Sequence, residues 1–271
     1  MRAAPPGPHA AGLGCPLDCS SPRQKSVGES GGTGFCLAME GGLTVGVLGA
    51  TGAVGAEVVA LLSRSATVGG VVAMTRRERG AGGFPGAAEG KPVTERVLSY
   101  GNLQAADLAG LDALVCCLGT TSADAGGAAQ RHVVDHDYVL EAARLARADP
   151  KCRYFSLLTS TGSNSKSLLS YARTKGMAEE GVIALGFPRT SIWRPGLLDR
   201  GDRARGLEKV GLALAGGVPV RAVAAAIVST LEHENTAGAS SGASFFSDAE
   251  IRRLAREAGV QPTSPSSCSI M

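Results

Sequence analysis

The apolar residues of this chain fall into short continuous runs, separated by stretches in which they recur every three or four positions. Thr44-Val45-Gly46-Val47-Leu48 reads as a buried strand, and a glycine-rich turn follows it. Val54, Val58, Leu61 and Leu62 then repeat at helical spacing. Val71 to Met74 is a second apolar run, so strand, helix and strand fit into about 30 residues, the length of one βαβ unit. Residues 78–92 are glycine-rich and read as a loop, with a third strand at Val93 to Leu98. Ala113 to Cys117 is a fourth run, and a helix is expected from about Ala128 to Ala148. Tyr154 to Leu158 is a fifth strand, and Ser167 to about Leu185 another helix. Thr190 to Trp193 is a sixth strand, stopped by Pro195-Gly196. Val223, Ile227 and Leu231 share one helical face, and Ala243 to Phe246 is the last strand. Ser247 and Glu250 form a capping box that opens a final helix.

Strands alternating with helices predict an α/β fold: a Rossmann-like, doubly wound parallel sheet with helices on both faces, in a single domain over residues 43–260. Residues 1–42 have no apolar period and are rich in Pro, Gly and Ser, so a disordered tail is expected there. That tail lacks the apolar core of a secretory signal. Arg2, Arg23 and Lys25 would suit a weak transit peptide, while Asp18, Glu29 and Glu40 count against one, and Met39 is a candidate start. Residues 261–271 are expected to be a second tail.

Composition adds exclusions. Of 271 residues, 44% are apolar and only 19% charged, with a mean hydropathy of +0.10, which does not fit a wholly disordered chain. A net charge of +3 leaves no electrostatic footprint for nucleic acid. No apolar stretch reaches the ~18 residues of a transmembrane helix. The seven cysteines (15, 19, 36, 116, 117, 152 and 268) form no CxxC motif, and the four histidines are scattered. No metal site or disulfide scaffold is therefore expected, and a reducing, cytoplasmic location is the expectation. Cys116 and Cys117 should point to opposite faces of their strand, Cys152 reads as a free thiol and Trp193 as core. Asp135 and Asp137 flank His136 and read as capping or surface residues. The C-terminal Cys268-Ser269-Ile270-Met271 has the form of a farnesylation signal, so Cys268 is a candidate lipid anchor.

The chemistry concentrates in two places. The first turn reads Gly49-Ala50-Thr51-Gly52-Ala53-Val54-Gly55 between a strand and a helix. Glycines there let the backbone approach a pyrophosphate, which the helix N-terminus attracts through its free N–H groups. At the end of the second strand, where an NAD-binding chain carries a carboxylate, this one has Arg76-Arg77. Two guanidinium groups suit a 2′-phosphate, so NADP is the expected cofactor. The second place is Tyr171-Ala172-Arg173-Thr174-Lys175, with Tyr and Lys at i and i+4 on one helix face. An ammonium beside the phenol would favour the phenolate, so Tyr171 could exchange a proton with a substrate oxygen. Ser160, eleven residues before Tyr171 and just past the fifth strand, could hold that oxygen.

These features together resemble the short-chain dehydrogenase/reductases over residues 43–260. Cys116-Cys117-Leu118-Gly119-Thr120-Thr121, Asp135-x-Asp137-Tyr138-Val139-Leu140, Tyr171-x-x-x-Lys175-Gly176 and Arg194-Pro195-Gly196 narrow the resemblance to the atypical group around the HIV Tat-interacting oxidoreductase. The resemblance implies that Thr51, Gly52, Ala53 and Val54 contact the pyrophosphate and that Arg76 and Arg77 hold the 2′-phosphate. It places Leu118 and Gly119 on the adenosine side and Leu198 near the nicotinamide. Tyr171 becomes the proton acceptor, and Lys175 also reaches the nicotinamide ribose. A further family arginine falls at Arg203 or Arg205, without a choice between them.

Two departures accompany the resemblance. The 128–148 helix holds no Asn for the proton relay that many members use, and the substrate-binding span between Gly196 and Pro219 is short. The implied activity is NADP-dependent oxidoreduction of a small carbonyl or alcohol. The alternative is an NADPH-sensing regulator of protein association, since the human relative is linked to importin binding. A structural membrane-associated subunit is a weaker third option. Yeast relatives sit at the mitochondrial outer membrane, which is the alternative location.

Overall fold

The computed structural model describes residues 42–80, 83, 84, 87, 89–200, 217–236 and 242–261. Most of both expected tails, Cys268, and the choice between Arg203 and Arg205 lie outside the described residues.

The chain runs β1 (Leu43–Leu48), α1 (Ala53–Arg64), β2 (Val68–Thr75), β3 (Val93–Val97), α2 (Ala105–Leu108) and β4 (Ala113–Cys116). Then come α3 (Ser122–Ala125), α4 (Ala128–His132), a π-turn (Val133–Asp137), α5 (Tyr138–Ala148), β5 (Tyr154–Leu158) and α6 (Ser170–Ala184). The last elements are β6 (Arg189–Arg194), β7 (Leu198–Asp199), β8 (Val218–Pro219), α7 (Val220–Thr236), β9 (Gly242–Ser247) and α8 (Asp248–Glu257).

Seven strands form one sheet in the order β3-β2-β1-β4-β5-β6-β9, every neighbouring pair parallel. The two-residue β7 and β8 pair separately. The order reverses direction between β1 and β4, which opens a crevice beyond their carboxyl ends.

Alternation along the strands builds two cores. Val45, Val47, Val71, Ala73, Val115 and Trp193 face one side, where α1, α7 and α8 cover them with Val58, Leu62, Val223, Ile227 and Ile251. Leu48, Met74, Leu114, Phe155 and Ile192 face the other, under Val139, Ala143 and Val182 of α5 and α6. Cys116 lies in the second core while Cys117 packs against the first, as their adjacency predicts. Trp193 is fully buried, donates its Nε1 hydrogen to Ser156 Oγ at 2.9 Å and stacks on Phe246 at 4.1 Å. The Ser247–Glu250 capping box opens α8 as expected.

The expected 128–148 helix is present but interrupted by the π-turn. The helix expected from Ser167 begins instead at Ser170. Asn164 and Ser167 take the preceding residues into a turn, through Ser167 N–H to Asn164 O at 3.0 Å and Leu169 N–H to Ser167 Oγ at 3.2 Å.

Candidate active site

The glycine turn is held in a shape that side chains would prevent. Gly49 has φ +73°, and a β-carbon on it would lie 2.7 Å from Cys117 O. Gly52 N–H closes the turn onto Gly49 O at 2.9 Å. A β-carbon on Gly55 would lie only 2.2 Å from that same oxygen, so α1 can start this close to the turn only with glycine there. Gly52 caps α1 without a side-chain hydrogen bond, so no side chain occupies the place where an anion would meet the first helical N–H groups.

This turn forms one wall of a cleft of about 590 Å³. Gly49, Thr51, Gly52, Arg76, Arg77, Leu118 and Gly119 all line it. Ala53, Val54 and Gly55 lie just behind, in the first turn of α1. Both arginines are exposed, and neither makes a hydrogen bond or ion pair with another described residue. Leu198 does not line the cleft; it sits in β7 and packs against the first core.

The cleft has further walls that the sequence did not single out. Leu98, Tyr100 and Tyr138 line it, with the two tyrosine rings stacked at 5.2 Å. Burial pushes the Tyr100 phenol well above its ordinary pKa, so it stays protonated. The signal available was Tyr100 following the third strand, at the same sheet end as Arg76.

Lys175 reaches the edge of this cleft. Its side chain is buried, and Nζ lies 3.4 Å from Leu118 O and 3.5 Å from Asp135 Oδ1. Thr120 N–H donates to the same carboxylate oxygen at 3.1 Å. Asp135 is 1% exposed, and its other oxygen has no hydrogen-bond partner among the described residues. The reading of Asp135 as a capping or surface residue is therefore corrected. Asp135 stands four residues before fully buried Val139, so the two share the inward face, and its carboxylate meets the lysine.

Tyr171 is on the same helix but 41% exposed, with the Arg131 guanidinium 5.5 Å from its ring centre. Ser160 lies on the loop after β5, its hydroxyl 3.4 Å from Ser163 Oγ, while Ser163 Oγ donates to Ser160 O at 2.7 Å. That loop is pinned to α6. Asn164 N–H donates to Ala172 O at 3.0 Å, and a β-carbon on Gly176 would lie 2.2 Å from Ser165 N. The loop after β5 is thus fixed to α6 beside Tyr171 and Lys175, and Lys175 meets the end of the cleft wall formed by Leu118 and Gly119.

Beneath them, buried Glu179 ties three elements together. It accepts from Thr159 Oγ1 at 2.6 Å and takes a two-pronged ion pair from Arg194, Nε to Oε1 at 3.0 Å and Nη2 to Oε2 at 2.5 Å. Sequence reasoning missed Glu179, although its place four residues after Lys175 puts it on the same helical stripe.

Known proteins share parts of this arrangement. Residues 44–165 match the semialdehyde dehydrogenase NAD-binding domain family. The mitochondrial protein fmp52 of Emericella nidulans is 36% identical over 182 residues, covering 64% of this chain and 75% of that protein. FMP52 of Candida glabrata is 34% identical over 166 residues, 60% of this chain and 68% of that one. HTATIP2 of Rattus norvegicus is 42% identical over 109 residues, 39% of this chain and 44% of that one.

Among solved structures, UDP-glucuronic acid 4-epimerase from Bacillus cereus in complex with NAD superimposes with a TM-score of 0.58 at 12% identity, over 82% of this chain and 92% of that one. A short-chain dehydrogenase/reductase superfamily protein from Agrobacterium tumefaciens with bound NAD gives 0.55 at 19% identity, over 81% and 84%. These two share the fold. The Fmp52 relatives are named as mitochondrial proteins, which overturns the cytoplasmic location expected from the cysteines and fits the mitochondrial alternative. A cysteine count reports redox conditions, and a reducing environment is not confined to one compartment. By its identity to these proteins, carried on a doubly wound sheet with a glycine-lined cleft at the strand reversal, the chain belongs to the Fmp52 and HTATIP2 family of atypical short-chain dehydrogenase/reductase-like proteins.

Proposed function

We propose that the protein is an NADP-dependent oxidoreductase that moves hydride between the nicotinamide and a small carbonyl or alcohol. The observation that carries this reading is the cleft itself. Its glycine turn, its two arginines without partners among the described residues and its Leu118-Gly119 wall, against which Lys175 rests, follow one another around a single cavity. The residues fit a dinucleotide. Gly49 and Gly52 leave room for a pyrophosphate, Arg76 and Arg77 offer paired donors to a 2′-phosphate, and Tyr100 and Leu98 give an apolar wall for a base.

When bound, the nicotinamide supplies or accepts the hydride. Tyr171 gives the proton to the carbonyl oxygen in reduction and takes it back in oxidation. Ser160 orients that oxygen, and Lys175 holds the ribose end while Asp135 keeps the ammonium in place. The test is NADPH consumption by the full chain across a panel of aldehydes and ketones, with NADH in parallel. Turnover with NADPH supports the reading, and a chain that binds neither cofactor refutes it. The short span between Gly196 and Pro219 favours a second reading, NADPH-controlled association with a protein partner. That reading is the one to keep if NADPH binds but no carbonyl is reduced.

A further inference from the structure

The π-turn spans Val133–Asp137. It takes one extra residue per turn, so positions four and five apart both come to lie beside the starting residue. His132, His136 and Asp137 stand at those offsets, and one ligand atom from each lies within 4.8 Å of the other two. In an uninterrupted α-helix, His136 would stay near His132 but Asp137 would point away.

The three groups are already turned toward one another. His136 Nδ1 lies 2.7 Å from Asp137 Oδ1, and His132 Nε2 lies 3.8 Å from that same oxygen. The two imidazoles stack at 4.7 Å with planes 23° apart. His132 Nδ1 is 3.1 Å from Thr174 Oγ1 on α6. That contact fixes the ring and leaves Nε2 for another partner, the arrangement in which the second nitrogen of a metal-bound histidine is held by an outer group. The His136 side chain is 16% exposed, whereas His132 and Asp137 are 37% and 50% exposed, so the cluster is walled inside and open outside.

We propose that His132, His136 and Asp137 form a site for one divalent cation of the zinc class. Two imidazole nitrogens and one carboxylate oxygen suit a borderline cation, and the solvent side leaves the fourth tetrahedral position to water. The missing CxxC pattern gave no hint of it, because this donor set contains no thiolate. Through Thr174 the ion would fasten the π-turn to α6, next to Lys175, and so stiffen the wall of the cleft.

The test uses the full chain and Zn²⁺ alone, followed by calorimetry and thermal unfolding, with Co²⁺ as a spectroscopic stand-in. The expected result is one histidine-dependent Zn²⁺ site per chain and a rise in thermal midpoint on loading. His136→Ala and Asp137→Asn each lower that affinity at least tenfold, whereas His233→Ala leaves it unchanged. The metal-free midpoints of these variants are measured first. If one of them fails to fold, the other carries the test, and Thr174→Val supplies a third, with an expected loss of about tenfold. The Co²⁺ form shows four-coordinate visible absorption without a thiolate charge-transfer band. Absence of Zn²⁺ uptake at micromolar concentration, uptake unaltered by the His136 and Asp137 variants, or a thiolate band would each overturn the proposal.

Discussion

Lys175 and Asp135 face each other across 3.5 Å, with side chains only 5% and 0% exposed. Two charges so placed depend on each other, because removing one strands the other away from water. Lys175→Met is expected to cost about 3–5 kcal/mol of stability, read by urea denaturation. Adding Asp135→Asn should return most of that loss, since the amide oxygen can still accept from Thr120 N–H. A double variant no more stable than Lys175→Met would show that the pair is not what holds this corner.

The glycine turn makes a sharper demand. Gly55→Ala places a methyl group 2.2 Å from Gly49 O, a backbone atom that cannot swing aside. Overpacking of this kind costs about 1–3 kcal/mol, and here it also pushes α1 away from the turn. Dinucleotide affinity should fall well beyond tenfold by calorimetry, while Gly110→Ala on an open surface turn leaves affinity alone.

Cofactor choice should rest on Arg76 and Arg77. A guanidinium–phosphate contact contributes about 1.5–3 kcal/mol. Arg76→Ala is therefore expected to weaken NADPH about tenfold or more and to leave NADH nearly unchanged. Equal affinity of the unaltered protein for both cofactors would refute this assignment.

The proposed function gives proton transfer to Tyr171. Its exposure means that Tyr171→Phe should fold and bind NADPH normally, while turnover of any accepted carbonyl falls by ~10²–10⁴. Unchanged turnover would remove Tyr171 from the chemistry.

The buried thiols make stability depend on alkaline pH. Burial pushes the Cys116 thiol up to about 11 and that of Cys152 up to about 12, from 9.0. Well below pH 9 both are neutral whether the chain is folded or not. Above it, only the unfolded chain ionises freely, so stability should fall between pH 9 and about 12. Denaturation midpoints that stay flat across this range would contradict the burial of these groups.

The inner strands were legible because their residues are mostly buried on both faces, leaving continuous runs such as Ala113 to Cys117, whereas the edge strands β3 and β9 are largely exposed. The glycine turn was legible for a related reason, since Gly49 and Gly55 stand where backbone meets backbone. The π-turn was not. Val133, Val134 and Val139 keep an apolar stripe through it, and apolar spacing alone does not register one added residue. Asp135 was missed because its partner Lys175 lies on another helix, 40 positions away, although its spacing of four from buried Val139 puts it on the inward face. Tyr100 and Glu179 belong to no local motif; their roles come from Tyr138 and Arg194, 38 and 15 positions away, which only the fold brings near.

The strand order also has a consequence for how the chain is made. β1 lies inside the sheet, and synthesis supplies its two neighbours at very different times: β2 follows almost at once, while β4 appears only at Ala113–Cys116. After that, β5, β6 and β9 each add to the outermost strand already in place. A nascent chain that ends before Cys116 can therefore assemble β3-β2-β1 but shows the hydrogen-bonding edge of β1, with Val45 and Val47, to its surroundings. Open apolar edges of this kind recruit other chains. Each strand that docks then shows its own edge until the next one arrives, so the vulnerable interval opens in early translation and ends when β9 pairs with β6.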